Sequence, residues 1–439
     1  MLAALHFGVT TPGPPKVELK LQTTWSEDRF YTTSDHIEGF VSIETTSDVP
    51  LGKLTVTLQG RTALEGPEEL IICITKVSVG TSSIGIGQAI SSRSRCQQIF
   101  LRVSQMIDPM QHAVLKTQKS HYKYCCPFSL EVPEKIHPQV CRHRTQSLAV
   151  YESHTRIPPT LGSGNVEFSG QSALTDTLSD TAEVAYTLHA SLFAPLSGRN
   201  SQPIISTQMK GIKILPSFHQ EPPREGFGSE LYCTSKEKNL KHGIWNRQIG
   251  RLTISASQPE PLNSSHIILS EEHNPDTTTV IDLNFDQEGT TKPPLLCSLT
   301  TRLSAVTLYG AVPWESYPDL LVGKISFADY GRGMDWKVMP LSKMCVESVR
   351  WIEKPAYSSC EQPSAPHLAN YDKPATSTQH TASIVVPITI PNNHHLVPTF
   401  HSCLISRVYL LEFSLSYKQS DAQILTSSLS LRVPVQVIA

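Results

Sequence analysis

The sequence predicts an all-β fold built from two tandem antiparallel β-sandwiches. Three observations predict it. Apolar and polar residues alternate with a period of two in many short segments, turn-forming residues separate these segments, and helical periodicity is nearly absent. Alternation puts a row of apolar side chains on one face of each strand, and that face needs a second sheet to cover it. Each half of the chain carries about seven or more such segments, which is typical of a sandwich.

The clearest strands of the first half lie within residues 35–60. Because about nine residues separate them, these two strands are expected to pair with each other. Residues 80–95 are rich in Ser and Gly and are predicted to form a loop, while residues 157–162 are predicted to be irregular. The alternating apolar positions of this half are Val17, Leu19 and Leu21; Ile37, Gly39, Val41 and Ile43; Leu54, Val56 and Leu58; Phe128, Leu130 and Val132; and Val184, Tyr186, Leu188, Ala190 and Leu192.

The second half repeats this pattern. Pro434 cannot donate a hydrogen bond to a neighbouring strand, so the last strand is expected to have a free edge at that point. Residues 358–381 are rich in Ser, Pro and His and are predicted to form an insertion loop. The alternating positions are Leu252, Ile254 and Ala256; Thr279, Ile281, Leu283 and Phe285; Ile405, Tyr409, Leu411, Phe413, Leu415 and Tyr417; and Leu429, Leu431, Val433, Val435 and Val437.

These strands divide the chain into a sandwich at residues 15–197, a connection at residues 198–230 and a second sandwich at residues 231–438. A length of 439 residues is sufficient for two large all-β domains. The cationic run at residues 236–242, together with Lys210 and Lys213, is interpreted as a solvated loop at the start of the second sandwich. The alternative is a contact with anionic lipid headgroups.

Composition limits the classes of function. Lys and Arg number 37 against 39 Asp and Glu, and this balance argues against a dedicated nucleic-acid-binding protein. No stretch approaches the ~20 apolar residues needed to span a bilayer, and the N-terminus lacks the basic region of a secretory signal. The ten Cys residues are scattered, and several lie in strand-like segments, as expected of reduced thiols rather than a disulfide framework. We therefore expect a soluble intracellular protein.

Cys and His residues crowd together at two places, so a zinc site has to be considered. A structural zinc ion normally takes two closely spaced pairs of ligands. Of the first group, Cys141 and His143 could share a face, but no second pair lies near them in the sequence. The adjacent pair Cys125 and Cys126 would point to opposite faces of a strand. The two groups are Cys125, Cys126, His137, Cys141 and His143, and His394, His395, His401 and Cys403.

The sequence therefore favours a Cys- and His-rich turn without metal. For the second group it favours a buried Cys403 thiol beside a hydrogen-bonded His401 imidazole. The chain contains no Gly-x-Ser-x-Gly elbow, P-loop or dinucleotide-binding fingerprint. No catalytic residue, cofactor or metal ligand is predicted, and a metal-assisted hydrolase built on the first group remains the enzymatic alternative.

Several of these segments, in this order, resemble those of the arrestins. Tyr31 to Val41 followed by Leu54 to Arg61 resembles the opening strands of the arrestin N-domain. The segment at residues 127–133, Pro-Phe-Ser-Leu-Glu-Val-Pro, and the segment at residues 183–190 resemble its later strands. Residues 403–417 and 431–435 are similar to the closing strands of the C-domain. The segments at residues 141–143, 157–159 and 399–404 are most similar to arrestin-like proteins of filamentous fungi.

The resemblance implies an arrestin fold of two tandem immunoglobulin-like β-sandwiches and a non-enzymatic cytosolic adaptor. It implies membrane transporters or receptors as cargo, peripheral contact with the plasma membrane or endosomes, and a link to ubiquitin-dependent endocytosis or sorting. α-Arrestins recruit a HECT-type ubiquitin ligase through Pro-Pro-x-Tyr motifs, which bind WW domains as extended ligands.

This chain departs from that ligase-binding motif. Its four Pro-Pro pairs are not followed by Tyr two residues later, and the nearest match is Lys354-Pro355-Ala356-Tyr357, where Lys354 replaces the first Pro. The degenerate motif is the candidate WW-domain ligand. An arrestin-type sorting or signalling scaffold that acts without a ubiquitin ligase is the alternative that the missing motif would allow.

Overall fold

The computed structural model confirms that the chain is all-β. Strands make up most of the described residues, which also contain one α-helix and two short 3-10 helices. The structure describes residues 14–22, 30–45, 51–66, 94–112, 114–117, 121–162, 181–195, 202–217, 235–242, 247–263, 277–289, 291–317, 332–354, 378–391, 396–419 and 426–438.

The described part of the first half contains nine strands and three helices. Its 3-10 helices are Pro109–Gln111 and Pro138–Val140, and its α-helix is α1 (Leu148–Thr155). The strands are β1 (Lys16–Leu21), β2 (Phe30–Tyr31), β3 (His36–Thr45), β4 (Leu54–Gly66), β5 (Ser94–Ile107), β6 (Val114–Thr117), β7 (His121–Glu131), β8 (Ala182–Phe193) and β9 (Ile204–Ile214).

Twelve strands lie in the described residues of the second half. They are β10 (Ser235–His242), β11 (Arg247–Ala256), β12 (Leu262–Asn263), β13 (Thr277–Gln287), β14 (Leu295–Gly310), β15 (Arg332–Cys345), β16 (Ile352–Lys354), β17 (Gln379–Ile388), β18 (Phe400–His401), β19 (Ile405–Lys418), β20 (Thr426–Val435) and β21 (Val437–Ile438).

Two sheets enclose a first hydrophobic core. One has the order β1-β3-β7-β6 and the other has the order β2-β9-β8-β4-β5. The alternation of β3 predicts one buried face, and Ile37, Val41 and Ile43 are fully buried in this core. Apolar residues of β1, β4, β5, β7 and β8 also contribute to it. The alternating strands predicted for this half are confirmed.

The predicted pairing of the two strands within residues 35–60 is wrong. β3 pairs with β1 and β7, whereas β4 pairs with β5 and β8, so they lie in different sheets. Both strands carry a complete apolar face, and placing them in separate sheets lets each face cover the same core. The connection between them therefore crosses from one sheet to the other.

Several segments predicted to be loops are strands. Residues 204–214, placed in the connection between the sandwiches, form β9, which pairs with β8 along most of its length. The cationic run at residues 236–242 lies in β10, which pairs with β11 at the edge of a sheet. The last residues of two predicted loops, 94–95 and 379–381, begin β5 and β17. Apart from Thr378, the rest of both loops lies outside the described residues.

A second hydrophobic core lies between two sheets of the second half. One has the order β10-β11-β13-β17-β16, and the other joins β15, β14 and β19, with β18 and β20 both pairing with β19. Its alternating strands are also confirmed, since Leu252, Ile254, Leu283 and Phe285 are at most 1% exposed. Pro434 lies in β20, which pairs with β19 alone among the described strands, as its free-edge prediction requires.

The adjoining halves of β14 and β19, residues 303–310 and 405–411, are buried on both faces. One face adds Leu303 and Leu411 to the second core, and the opposite face adds Val306 and Leu410 to a smaller cluster with Trp314. The end of this strand pair extends into the first core, which includes Tyr309, Val397, Phe400, Leu404 and Ile405. The two cores are therefore joined by shared strands.

Helix α1 is a feature that the alternation did not predict. The Ser147 side chain caps it by accepting a hydrogen bond from the Val150 amide at 3.3 Å. It ends before Pro158 and Pro159, which cannot continue a helix. The helix is short and its apolar residues show no strong periodicity, so its sequence carries little signal.

In the described residues no helix is long and apolar enough to cross a membrane. Six cysteines whose side chains the structure describes are free thiols, namely Cys125, Cys126, Cys141, Cys297, Cys345 and Cys403.

Candidate functional site

Four Cys and His side chains converge between the two halves of the chain. Cys141 ends the 3-10 helix Pro138–Val140, His143 follows two residues later, and His154 lies near the end of α1. Cys403 comes from the short link between β18 and β19. One ligating atom from each of the four residues lies within 4.8 Å of all the others.

The distances within the cluster are short. His143 Nε2 lies 3.0 Å from His154 Nδ1. Cys141 Sγ lies 3.7 Å from His143 Nε2 and 3.9 Å from His154 Nδ1. Two imidazole nitrogens and a sulfur therefore surround one point, and the Cys403 sulfur completes a group of four donors.

Burial keeps the imidazoles of the cluster neutral. Burial, and then the proximity of His143, lower the pKa of His154 to about 4, and burial also lowers the pKa of His143. Burial raises the pKa of both thiols, Cys141 and Cys403. Neutral imidazole is the form that binds metals, and a bound cation would favour the thiolate form of both cysteines.

A chain of hydrogen bonds continues from the cluster into the second half. His154 Nε2 lies 2.9 Å from His401 Nε2, and the other ring nitrogen of His401 bonds the Ser406 hydroxyl. The Tyr317 ring packs on His401 with 4.9 Å between ring centroids. These contacts fix the orientation of the His154 ring, which presents Nδ1 to the cluster.

Backbone hydrogen bonds hold the contributing segments in place. The Trp314 amide donates to the Cys403 carbonyl at 2.9 Å, and the Gln146 amide donates to the Glu315 carbonyl at 2.7 Å. Residues 314–315 thus contact both the turn that carries the first ligands and the link that carries Cys403. The site is positioned by backbone as well as by its side chains.

Only some members of the two Cys and His groups identified in the sequence join the cluster. Cys125 is partly exposed and Cys126 is buried on β7, on opposite faces as predicted, and neither joins the cluster. His137 caps the 3-10 helix by accepting from the Gln139 amide. His394 and His395 lie outside the described residues.

Cys141 and His143 gain the missing second pair of ligands from His154 and Cys403. The sequence spacing could not connect these two residues with the first pair.

Four sulfur and nitrogen donors around one point suit a single tetrahedral metal ion. Because all four donors come from the protein, the arrangement offers no open position for an activated water. Four protein ligands are typical of structural metal sites rather than catalytic ones.

A groove lies beside the same turn. It has a volume of about 1060 Å³ and runs between β5 and the segment that leads into α1. β5 is the last strand of its sheet among the described residues. The groove is lined mainly by apolar side chains, with Arg102, Lys135 and Glu152 as its charged residues.

A bulge shapes the strand that lines the groove. Gly60 and Arg61 of β4 are paired with Leu101 and Ile99 of β5, so Phe100 is the extra residue. As a result Phe100 and Leu101 are both buried, while Ile99 is 45% exposed. Across the groove, Leu148 of α1 is 71% exposed. An open apolar surface therefore lies along a strand edge.

The candidate WW-domain ligand lies at another sheet edge. Lys354 is the exposed last residue of β16, the edge strand of its sheet among the described residues. Pro355, Ala356 and Tyr357 lie outside the described residues. The structure brings this motif near neither the groove nor the Cys and His cluster in any contact that it describes.

No protein-family model matches this chain, and no curated protein matches it significantly.

Proposed function

We propose that the chain is a non-enzymatic adaptor that binds extended segments of membrane-protein cargo and links that cargo to ubiquitin-dependent endocytosis or sorting. The observation that carries the proposal is the open apolar groove along β5. An edge strand offers unpaired backbone amides and carbonyls, and a peptide can add to it as a further strand. Transporters or receptors with extended cytoplasmic tails are partners of that chemistry.

The groove has features that suit a peptide. Ile99 of β5 and Leu148 of α1 expose apolar surface on its two sides, where alternate side chains of a bound strand would pack. The charged residues that line the groove are two cations, Arg102 and Lys135, and one carboxylate, Glu152, so an acidic residue in the peptide would be favoured over a basic one.

The finer fold assignment is part of the same proposal. Each of the two main hydrophobic cores lies between two sheets. This arrangement supports the interpretation of the fold as two tandem immunoglobulin-like sandwiches of the arrestin type. The strand order in the sequence and the motifs that resemble arrestins support the adaptor role over an enzymatic one. The closed donor set of the Cys and His cluster also favours a role without catalysis.

A substitution in the groove tests cargo binding. We expect Leu148→Asp to weaken binding of cytoplasmic-tail peptides of membrane transporters by at least about tenfold, the effect of placing a charge against an apolar side chain. Val385→Asp is the matched control, because Val385 is 63% exposed on β17 and outside the groove. Fluorescence anisotropy measures the affinities. Equal affinities of the two variants, or no tail binding by the unchanged chain, would refute the role of the groove.

Ligase recruitment is tested at the degenerate motif. If residues 354–357 bind a WW domain, Tyr357→Ala abolishes capture of a HECT-type ligase while cargo binding is unchanged. The second candidate function is a sorting scaffold without ligase recruitment, which the lack of an intact Pro-Pro-x-Tyr motif favours. Cargo binding with no ligase capture by the unchanged chain supports the scaffold.

A further inference from the structure

We propose that Cys141, His143, His154 and Cys403 bind a structural zinc ion that fastens the first half of the chain to the second. The site goes beyond the proposed adaptor role and does not depend on it. The inference starts from the convergence of four donors whose elements are far apart in the sequence, rather than from any sequence motif.

The measured distances fit the edges of a zinc tetrahedron. With the usual zinc–nitrogen and zinc–sulfur bond lengths, two bound nitrogens lie about 3.3 Å apart and a nitrogen and a sulfur about 3.6 Å apart. The corresponding distances are 3.0 Å between His143 and His154, and 3.7 and 3.9 Å from the Cys141 sulfur to their nitrogens. Shifts of a few tenths of an ångström would place all these atoms around one ion.

The donor set points to zinc among the common metals. Two thiolates and two imidazoles in a tetrahedron are the ligands of many structural zinc sites, whereas magnesium and calcium take oxygen ligands. Cys141 is 5% exposed and His154 is fully buried, whereas His143 and Cys403 are partly buried, so the ion would be largely shielded from water. Four protein ligands leave no position for substrate, and the ion would therefore stabilise the structure rather than catalyse a reaction.

The hydrogen bonds around the site specify the form of His154 that a metal needs. If Nδ1 binds zinc, Nε2 must carry the ring proton. Nε2 then donates to His401 Nε2, and the other ring nitrogen of His401 donates in turn to Ser406. Metal-bound histidines commonly have such an outer partner, which fixes the tautomer and the orientation of the ring.

The ion would join segments that are otherwise connected by a long chain. His154 and its partner His401 are 247 residues apart. Three of the ligands come from the turn and helix between β7 and β8, and the fourth comes from the link between β18 and β19. A zinc ion here would hold the end of the β14–β19 pair against the first core.

Metal content of the full chain is the first test. The protein, produced with zinc supplied, is expected to contain one zinc ion per chain by elemental analysis. Cys403→Ala should reduce this content to near zero, while Cys345→Ala should leave it unchanged, because Cys345 is exposed and outside the cluster. Absence of zinc from the unchanged chain would overturn the proposal, and so would equal zinc content in the two variants.

X-ray absorption spectroscopy on the unchanged, zinc-loaded protein gives an answer even if Cys403→Ala fails to fold. Two sulfur neighbours at about 2.3 Å and two nitrogen neighbours at about 2.0–2.1 Å are expected. A shell of oxygen and nitrogen alone would show adventitious surface binding and refute the site.

Thiol mapping on the same sample identifies the ligands. Alkylation followed by mass spectrometry should find Cys141 and Cys403 protected with zinc and modified faster after a chelator removes it. Cys345 should react at the same rate in both states. Unchanged rates at Cys141 and Cys403 would mean a metal-free hydrogen-bonded cluster instead.

Discussion

Two tyrosines on β19 allow the energy of a buried hydroxyl to be measured with its own control. Tyr409 and Tyr417 both lie in the second core and are at most 1% exposed. The Tyr409 hydroxyl donates a hydrogen bond to the Val397 carbonyl at 2.6 Å. The Tyr417 hydroxyl is buried and has no hydrogen-bond partner among the described residues. Replacement by Phe removes only the hydroxyl from each.

The two replacements should have different effects on the free energy of unfolding. Tyr409→Phe breaks a hydrogen bond and deprives a buried carbonyl of its donor, at a cost of about 1–3 kcal/mol. Tyr417→Phe removes a polar group that was buried without a partner, so stability should stay unchanged or rise by about 1 kcal/mol. Both Phe variants keep the packing of the ring.

Urea unfolding followed by tryptophan fluorescence measures the difference. With a slope of about 3 kcal/mol per molar urea, a cost of about 1.5 kcal/mol lowers the transition midpoint by about 0.5 M. Midpoints are compared because a chain with two cores need not unfold in one step. Equal downward shifts of the two variants, or no shift for Tyr409→Phe, would refute the reasoning from hydrogen bonding.

Three further predictions concern the first hydrophobic core and the free thiols. Glu183→Ala should lower the free energy of unfolding by about 1–2 kcal/mol, because it leaves Arg61, 3.3 Å away and largely buried, without this carboxylate. The double variant with Arg61→Ala should lose less stability than the sum of the two single losses. Strict additivity of the losses would exclude coupling between the two side chains. Gly60→Ala should lower the free energy of unfolding by about 1–3 kcal/mol, because the added methyl group would meet the rings of Phe100 and Tyr186 at 2.7 and 2.9 Å. An unchanged free energy of unfolding would mean that the rings move freely. Alkylation at pH 8 should modify exposed Cys345 before buried Cys126, because burial, and then the neighbouring Cys125, raise the pKa of Cys126 to about 11. Mass spectrometry that finds Cys126 modified as early as Cys345 would contradict its burial.

Period-two alternation predicted the strands that face a core, because burial of one face imposes it. β3, β8 and β13 are of this kind. β9 and β10 were missed for the opposite reason. Their side chains are largely exposed or only partly covered, and Met209 is 61% exposed, so hydrogen bonds to β8 and β11 rather than an apolar face determine their structure.

Alternation also says which face of a strand is buried without saying which strand lies beside it. The wrong pairing of β3 with β4 follows from that limit, since both have one buried face in either arrangement.

The Cys and His cluster was half visible in the sequence. The spacing of Cys141 and His143 allowed a shared ligand site, but His154 lies on a helix with no strong sequence signal and Cys403 is contributed by the other half of the chain. A search for closely spaced ligand pairs cannot find a site whose ligands meet only after the two halves pack together. The groove was likewise invisible, because it depends on a bulge in β5 and on the position of α1.

The packing of β14 and β19 has a consequence for the integrity of the molecule. These strands contribute to the second core along most of their length, and Tyr309 and Ile405 at their ends complete the first. If a protease cut the backbone after β9, the two fragments would each expose apolar side chains that the other normally covers. They would be expected to remain associated as a noncovalent pair, so a nicked chain would keep its native shape until denaturant separates the pieces.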